Sequence, residues 1–192
     1  MNPSHTAVNA TTLPLDSLAA RALPGAYFAD CYEVPDPRPE AAPLQAWLDL
    51  VARTPRWTRG LMAWRNQLVR LAGLKDLGGL GDLDAEATQR PVADFRVGQR
   101  VGIFEIRQIA PHELVLGQDD HHLDVQVALH KLQRPAADGR PQAWVAVSTV
   151  VHVHNRLGRA YMAVVTPFHR LIARDLLARL ASAPQPSRHG QR

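Results

Sequence analysis

The apolar positions change their period along this chain, and each change marks an element. Ala26 to Val34 (AYFADCYEV) is rich in aromatic and β-branched residues and is closed by Pro35. This predicts a strand, and Pro35, Pro37 and Pro39 force an extended exit from it. Between Pro39 and Arg53 the period becomes helical, with Leu44, Trp47, Leu48 and Val51 on one face. Thr54 and Pro55 then suit the cap and first turn of a second helix. Its apolar residues Trp57, Leu61, Trp64, Leu68 and Leu71 advance by alternate steps of four and three, and Gly73 is a natural stop. From Phe95 the period is two. Gln99 to Ile109, Glu113 to Gln118, Leu123 to Leu132 and Gln142 to His154 predict four consecutive antiparallel strands, separated by turn-forming breaks at Ala110-Pro111 and Pro135 to Pro141. The helical period returns from Leu157 to Ala181, where Tyr161, Val164, Val165, Phe168, Leu171, Ile172 and Leu176 share a face. Pro167 inside this stretch predicts a kink or a restart.

This order is α+β: a strand, two short helices, a run of antiparallel strands and a long C-terminal helix laid across a curved sheet. A single domain over 23–181 is expected, preceded by a flexible segment, 1–22, and followed by a disordered tail, 182–192. Sheet and helix packed this way often enclose a cavity suited to an apolar ligand.

Composition narrows the function classes. With 192 residues, 46% of them apolar, the chain buries a core without metals or disulfides, and its single cysteine, Cys31, excludes a disulfide framework. Cys31 lies in an apolar strand and reads as a small buried residue, not as a nucleophile. The net charge of +4 comes from arginines scattered among 18 acidic residues. With only 4 Trp, 3 Tyr and 4 Phe, no aromatic platform for nucleic acid accompanies it. The last helix carries Arg156, Arg159, Arg170, Arg174 and Arg179, which read as a solvated face. No stretch approaches the roughly 18 apolar residues of a membrane span, and residues 1–12 do not read as a secretory signal, so a cytoplasmic protein without stable membrane insertion is expected. The Gly-rich stretch 73–91 lacks the Gly-Lys-Ser/Thr of a phosphate loop and reads as a long loop. No cofactor is expected.

The nine histidines carry more information than the charge. On the strand from Leu123, the odd positions are apolar, whereas His122, Asp124, Gln126 and His130 fall on the even face. On the strand to His154, Ser148, His152 and His154 fall on the even face. Pairing these two strands core to core puts His122 opposite His152 and Asp120 opposite His154, with Asp124 diagonal to His152. A slip of two residues would leave the face polar. Such a face is either an ordinary half-exposed sheet surface or a site. As a site, its His and Asp residues could anchor a polar ligand or perform acid–base chemistry. Their spacing matches no dedicated metal motif, and no metal is expected. Ser148 has His152 on its face but lacks a Gly-x-Ser-x-Gly elbow, so a hydrolase triad is not expected.

Two blocks, Asp119-Asp120-His121-His122-Leu123-Asp124 and His154-Asn155-Arg156-Leu157-Gly158-Arg159-Ala160-Tyr161, with Pro167-Phe168-His169 after them, resemble domain-of-unknown-function family 2867. Pro55-Arg56-Trp57 through Arg65-Asn66 also resembles its N-terminal half. Where that family often has Phe-Arg after Leu-Asp, this chain has Val125-Gln126. The resemblance implies a helix-grip (Bet v 1/START-like) fold, a group that mostly binds hydrophobic ligands between sheet and helix and includes some cyclases and hydrolases. On that footing the chain is expected to bind a small apolar or amphipathic molecule. Asp120, His122, Asp124, His152 and His154 are the candidate catalytic or anchoring residues, and Asp119, Asn155, Arg159, Tyr161, His169 and Trp64 the candidate ligand contacts. Two alternatives remain: an enzyme of hydrolase, cyclase or isomerase type using the His/Asp cluster, and a partner-binding module. In the latter the cluster is structural and holds the turn from Asn155 to Tyr161.

Overall fold

The computed structural model describes residues 7–54, 90–136 and 138–182. Seven antiparallel strands form one sheet: β1 (Asn9–Ala10), β2 (Phe28–Pro35), β3 (Arg100–Val101), β4 (Phe104–Ile109), β5 (Glu113–Asp119), β6 (Leu123–Pro135) and β7 (Pro141–Val153). Among the described residues two α-helices accompany them, α1 (Pro43–Ala52) and α2 (Arg156–Ala181). The strand order is β1-β2-β7-β6-β5-β4-β3, so the first long strand returns to pair with the last. This is the α+β arrangement expected from the order of periods, and it is consistent with the helix-grip fold that the resemblance implies. One helix after the first strand lies among the described residues; the second expected helix, and Trp64 with it, lies outside them.

Local chemistry explains the boundaries. Pro43 occupies the first turn of α1, where its missing N–H costs nothing. Thr54 closes that helix, its hydroxyl donating to Val51 O at 2.6 Å. The expected strand from Gln99 to Ile109 is two strands, because Gly102 adopts a φ of +63° and turns the chain between β3 and β4. α2 is one continuous assigned helix past Pro167, so the restart does not occur. Thr166 donates its hydroxyl to Met162 O at 2.6 Å in that turn, and Ala163, whose carbonyl the proline leaves without a donor, faces solvent.

The sheet is covered on both faces. On the concave face, Tyr32 and Val34 of β2, Leu116 of β5, Leu129 of β6 and Val145 of β7 pack against Leu44, Trp47 and Leu48 of α1 and Ile172, Leu176 and Leu177 of α2. On the other face, Cys31, Val115, Ala128, Ala146 and Val150 lie under Leu13 and Ala19. Residues 1–22 were expected to be a flexible lead-in; from residue 7 they are described as β1, a loop and a 3-10 turn (Ala19–Ala22) packed along the back of the sheet. Small residues make this possible, because alanines of the turn meet Ala128 and Ala146 with little side chain between the backbones.

Leu129 is fully buried in the central strand β6. Leu129→Ala should lower stability by about 2–5 kcal/mol, seen as a lower urea midpoint at unchanged slope.

Candidate functional site

The β6–β7 register decides which polar side chains meet. Asp124 lies opposite His152 and Leu123 opposite Val153, two residues from the expected pairing. The turn is centred on Asp138, with Gly139 at a φ of +76°, and this fixes the slip. His122 is therefore level with His154, whose N–H donates to His122 O at 2.9 Å. His154 Nε2 meets Asp124 Oδ2 at 3.0 Å, both side chains being about two-fifths exposed.

The remaining members of this cluster hold backbone. Asn155 caps α2, its Oδ1 accepting from Gly158 N at 3.0 Å, while its amide donates to His122 Nδ1 at 2.8 Å and His121 O at 3.2 Å. Gly158 sits so close to the β5–β6 turn that a Cβ there would stand 2.3 Å from His122 O. Asp120 Oδ1 accepts from the His121 N–H, and Asp119 is taken by Arg107 at 2.7 Å. Arg159 contributes its N–H to Asn155 O, and Tyr161 is half-buried one turn later. This group seats the first turn of α2 on the end of the β5–β6 hairpin.

His152, opposite Asp124 on the back face, donates its Nε2–H to Ala22 O of the 3-10 turn at 2.8 Å. Beside it lies an arrangement that periodicity alone did not assemble. Ser148, His130 and Glu113 are all buried. His130 Nε2 is 2.8 Å from Ser148 Oγ, and Nδ1 is 3.5 Å from Glu113 Oε1. Strand parity had placed His130 and Ser148 on one face, but Ser148 pairs with His130 instead of His152. Glu113, at the first position of β5, had no sequence signal. The order Ser–His–carboxylate is that of a nucleophile relay. Here the serine lies in mid-strand, paired with Cys31 and Ala128, where the neighbouring backbone N–H groups are spent on the ladder and are not free to form an oxyanion hole. Instead, Glu113 accepts the Leu18 N–H at 2.7 Å and the Ala19 N–H at 2.9 Å, which fastens the 3-10 turn to the sheet. Burial lowers the basicity of His130, opposed by the charges of Glu113 and Asp16. Cys31, pushed up to about 12 mainly by burial, is an unreactive thiol on the same face.

On the concave side, His169 of α2 meets a residue the sequence did not single out. Its Nε2 lies 3.2 Å from Asp30 Oδ1, and the Asp30 side chain is 12% exposed. Asp30 opposes Thr149 of β7 and alternates with Phe28 and Tyr32 on one face. Asp30 Oδ2 is buried without a hydrogen-bond partner. The Phe28 ring meets His169 edge-on at 5.7 Å, and Arg170 and Arg174 hold their guanidinium groups over Phe28 and Tyr32 at 5.7 and 5.8 Å. Burial and then the Asp30 charge push the Tyr32 hydroxyl up against the pull of the two arginines, and a side-chain hydrogen bond to Asp30 adds to the rise. A charge among apolar strand positions is the signal that could have found Asp30, since Tyr32 and Val34 on the same face are core. Among the described residues no group of three or more His, Cys, Asp or Glu is arranged to hold a metal ion.

The family model described as "Protein of unknown function (DUF2867)" matches residues 22–176. The chain belongs to this family. The match spans β2 to β7, α1 and α2 as far as residue 176, so the α2 seat and the concave polar group both lie within the DUF2867 region. No curated protein and no solved structure matches the chain. No described helix is long and apolar enough to cross a membrane.

Asn155→Ala should cost about 1–2 kcal/mol through loss of the cap, and Asn155→Asp, which keeps the acceptor for Gly158 N–H, should cost less. Gly158→Ala should cost about 1–3 kcal/mol through overpacking against His122 O. Thermal unfolding of the three variants checks this order.

Proposed function

We propose that this DUF2867 protein binds a small apolar or amphipathic molecule against the concave face of its sheet, beside α2, with the polar end of the molecule at Asp30 and His169. One observation carries the proposal. Asp30 Oδ2 is a buried acceptor without a donor, on a face whose other residues are largely apolar. Such an atom costs about 1–3 kcal/mol, and a ligand hydroxyl or amine would supply what it lacks. The aromatic rings of Phe28 and Tyr32 flank Asp30 along β2 and would take the apolar body of the ligand. Asp119, Asn155 and Arg159 serve the α2 seat in this proposal, and His169 keeps the ligand role expected of it.

The bond between Asp30 and His169 favours a second function, in which the carboxylate orients the imidazole and His169 moves a proton on the bound molecule. The half-exposed pair Asp124 and His154 is the alternative place for acid–base chemistry.

1-Aminoanthracene, an apolar fluorophore with a single amine donor, probes the first function, and native mass spectrometry of the purified protein reveals any retained molecule. Asp30→Asn should weaken the fluorophore by about tenfold or more, since a hydrogen bond to a charged group is lost. Equal binding by wild type and variant would remove Asp30 from the site. If the second function holds, His169→Ala keeps binding of the retained molecule and abolishes its conversion.

A further inference from the structure

The stretch from Leu13 to Ala26 behaves as a strap across the back of the sheet, and its fastenings are mostly polar. Glu113 holds two of its amides. Gln126 Nε2 donates to Ala19 O at 3.3 Å, and His152 Nε2 donates to Ala22 O at 2.8 Å. The apolar contribution comes from Leu13, Leu18, Leu23 and a series of alanines packed on Cys31, Val115, Ala128, Ala146 and Val150. Alanines return little free energy on burial, so the strap depends on Glu113 more than its length suggests.

Glu113 also faces His130, and these two tasks compete. While His130 is neutral, both carboxylate oxygens serve the strap amides. On the imidazolium both ring nitrogens are donors, so Nδ1–H is committed to Oε1, the same oxygen that accepts from Ala19, and a cation stands where the side chain is 2% exposed. Burial opposes this cation more strongly than the surrounding charges favour it. Asp16 of the strap and Glu113 of β5 favour the cation. Glu33 of β2, on the same sheet face, is already paired with Arg134 of β6 at 2.7 Å. Ser148 of β7 offers a neutral hydroxyl, Cys31 of β2 a protonated thiol, and His152 of β7 donates to the strap. Arg21 of the strap is exposed.

We propose that the strap is an acid-released clasp: protonation of His130 draws Glu113 away from the Leu18 and Ala19 amides, and the strap lifts so that water reaches the imidazolium. Its departure bares the small-residue strip of Cys31, Ala128, Ala146 and Val150. The direction follows from burial. The folded group resists protonation more than the same histidine in an open chain, so the closed state is favoured above the ordinary imidazole value of ~6.5 and loses that advantage as the pH falls below it.

Hydrogen exchange of the full-length protein, with each rate divided by its intrinsic rate at that pH, tests the clasp. Between about pH 7.5 and about pH 5.5, protection over 13–26 should fall by about tenfold, while protection of 145–151 in β7 holds within about twofold. His130→Gln keeps a partner for Ser148 and does not titrate, so its strap protection should be flat over the same interval. Glu113→Gln should lower strap protection by about tenfold already at about pH 7.5 and abolish the pH dependence. Flat protection in the wild type, an undiminished pH response in either variant, or a parallel fall in strap and β7 would each overturn the proposal.

Discussion

The β6–β7 hairpin is covered on both faces, and this double burial governs where polar side chains lie in the rest of the molecule. Helices fill the concave side, and the N-terminal strap closes the back. A strand buried on both sides keeps a polar residue only when the protein supplies its partner. His130 and Ser148 satisfy each other, Glu113 serves the strap, and Lys131 finds Asp36 at 2.6 Å and Arg38 O at 2.8 Å at the far end of β6. Polar atoms without partners therefore stand out, and Asp30 Oδ2 is one of them.

The same condition separates the polar groups into three kinds. The Asn155–His122 group closes backbone at a helix start, and its members are spent on that task. The Glu113 group fastens one layer to another. The Asp30 and His169 pair fastens α2 to β2 through one carboxylate oxygen and leaves the other unspent, which is why the ligand-binding proposal rests there.

Much of the architecture was legible in the periods, because alternation and helical spacing record which face is buried. The sequence could not show that the even face of β6 and β7 is also buried. The covering layer is a short stretch of alanines and leucines without a period of its own, and its partners are small residues that read equally well as exposed. The register slipped by two because parity constrains strand faces but not turn centres, and Gly139 fixed the centre. The role of Asn155 as a structural cap was foreseeable from its place before a helix and ahead of Gly158. The partners of His169 and His130 were not, because Asp30 and Glu113 come from distant strands.

The strap also imposes an order on how the chain is assembled during synthesis. Ala19 and the carboxylate that holds it are 94 positions apart, so the strap leaves the ribosome long before its landing surface exists. Closing such a long loop comes late and follows the pairing of β5 with β6 and of β6 with β7. In that interval the segment waits in water. Alanines make up half of its eight Ala and Leu residues, which limits the apolar surface it exposes while it does so.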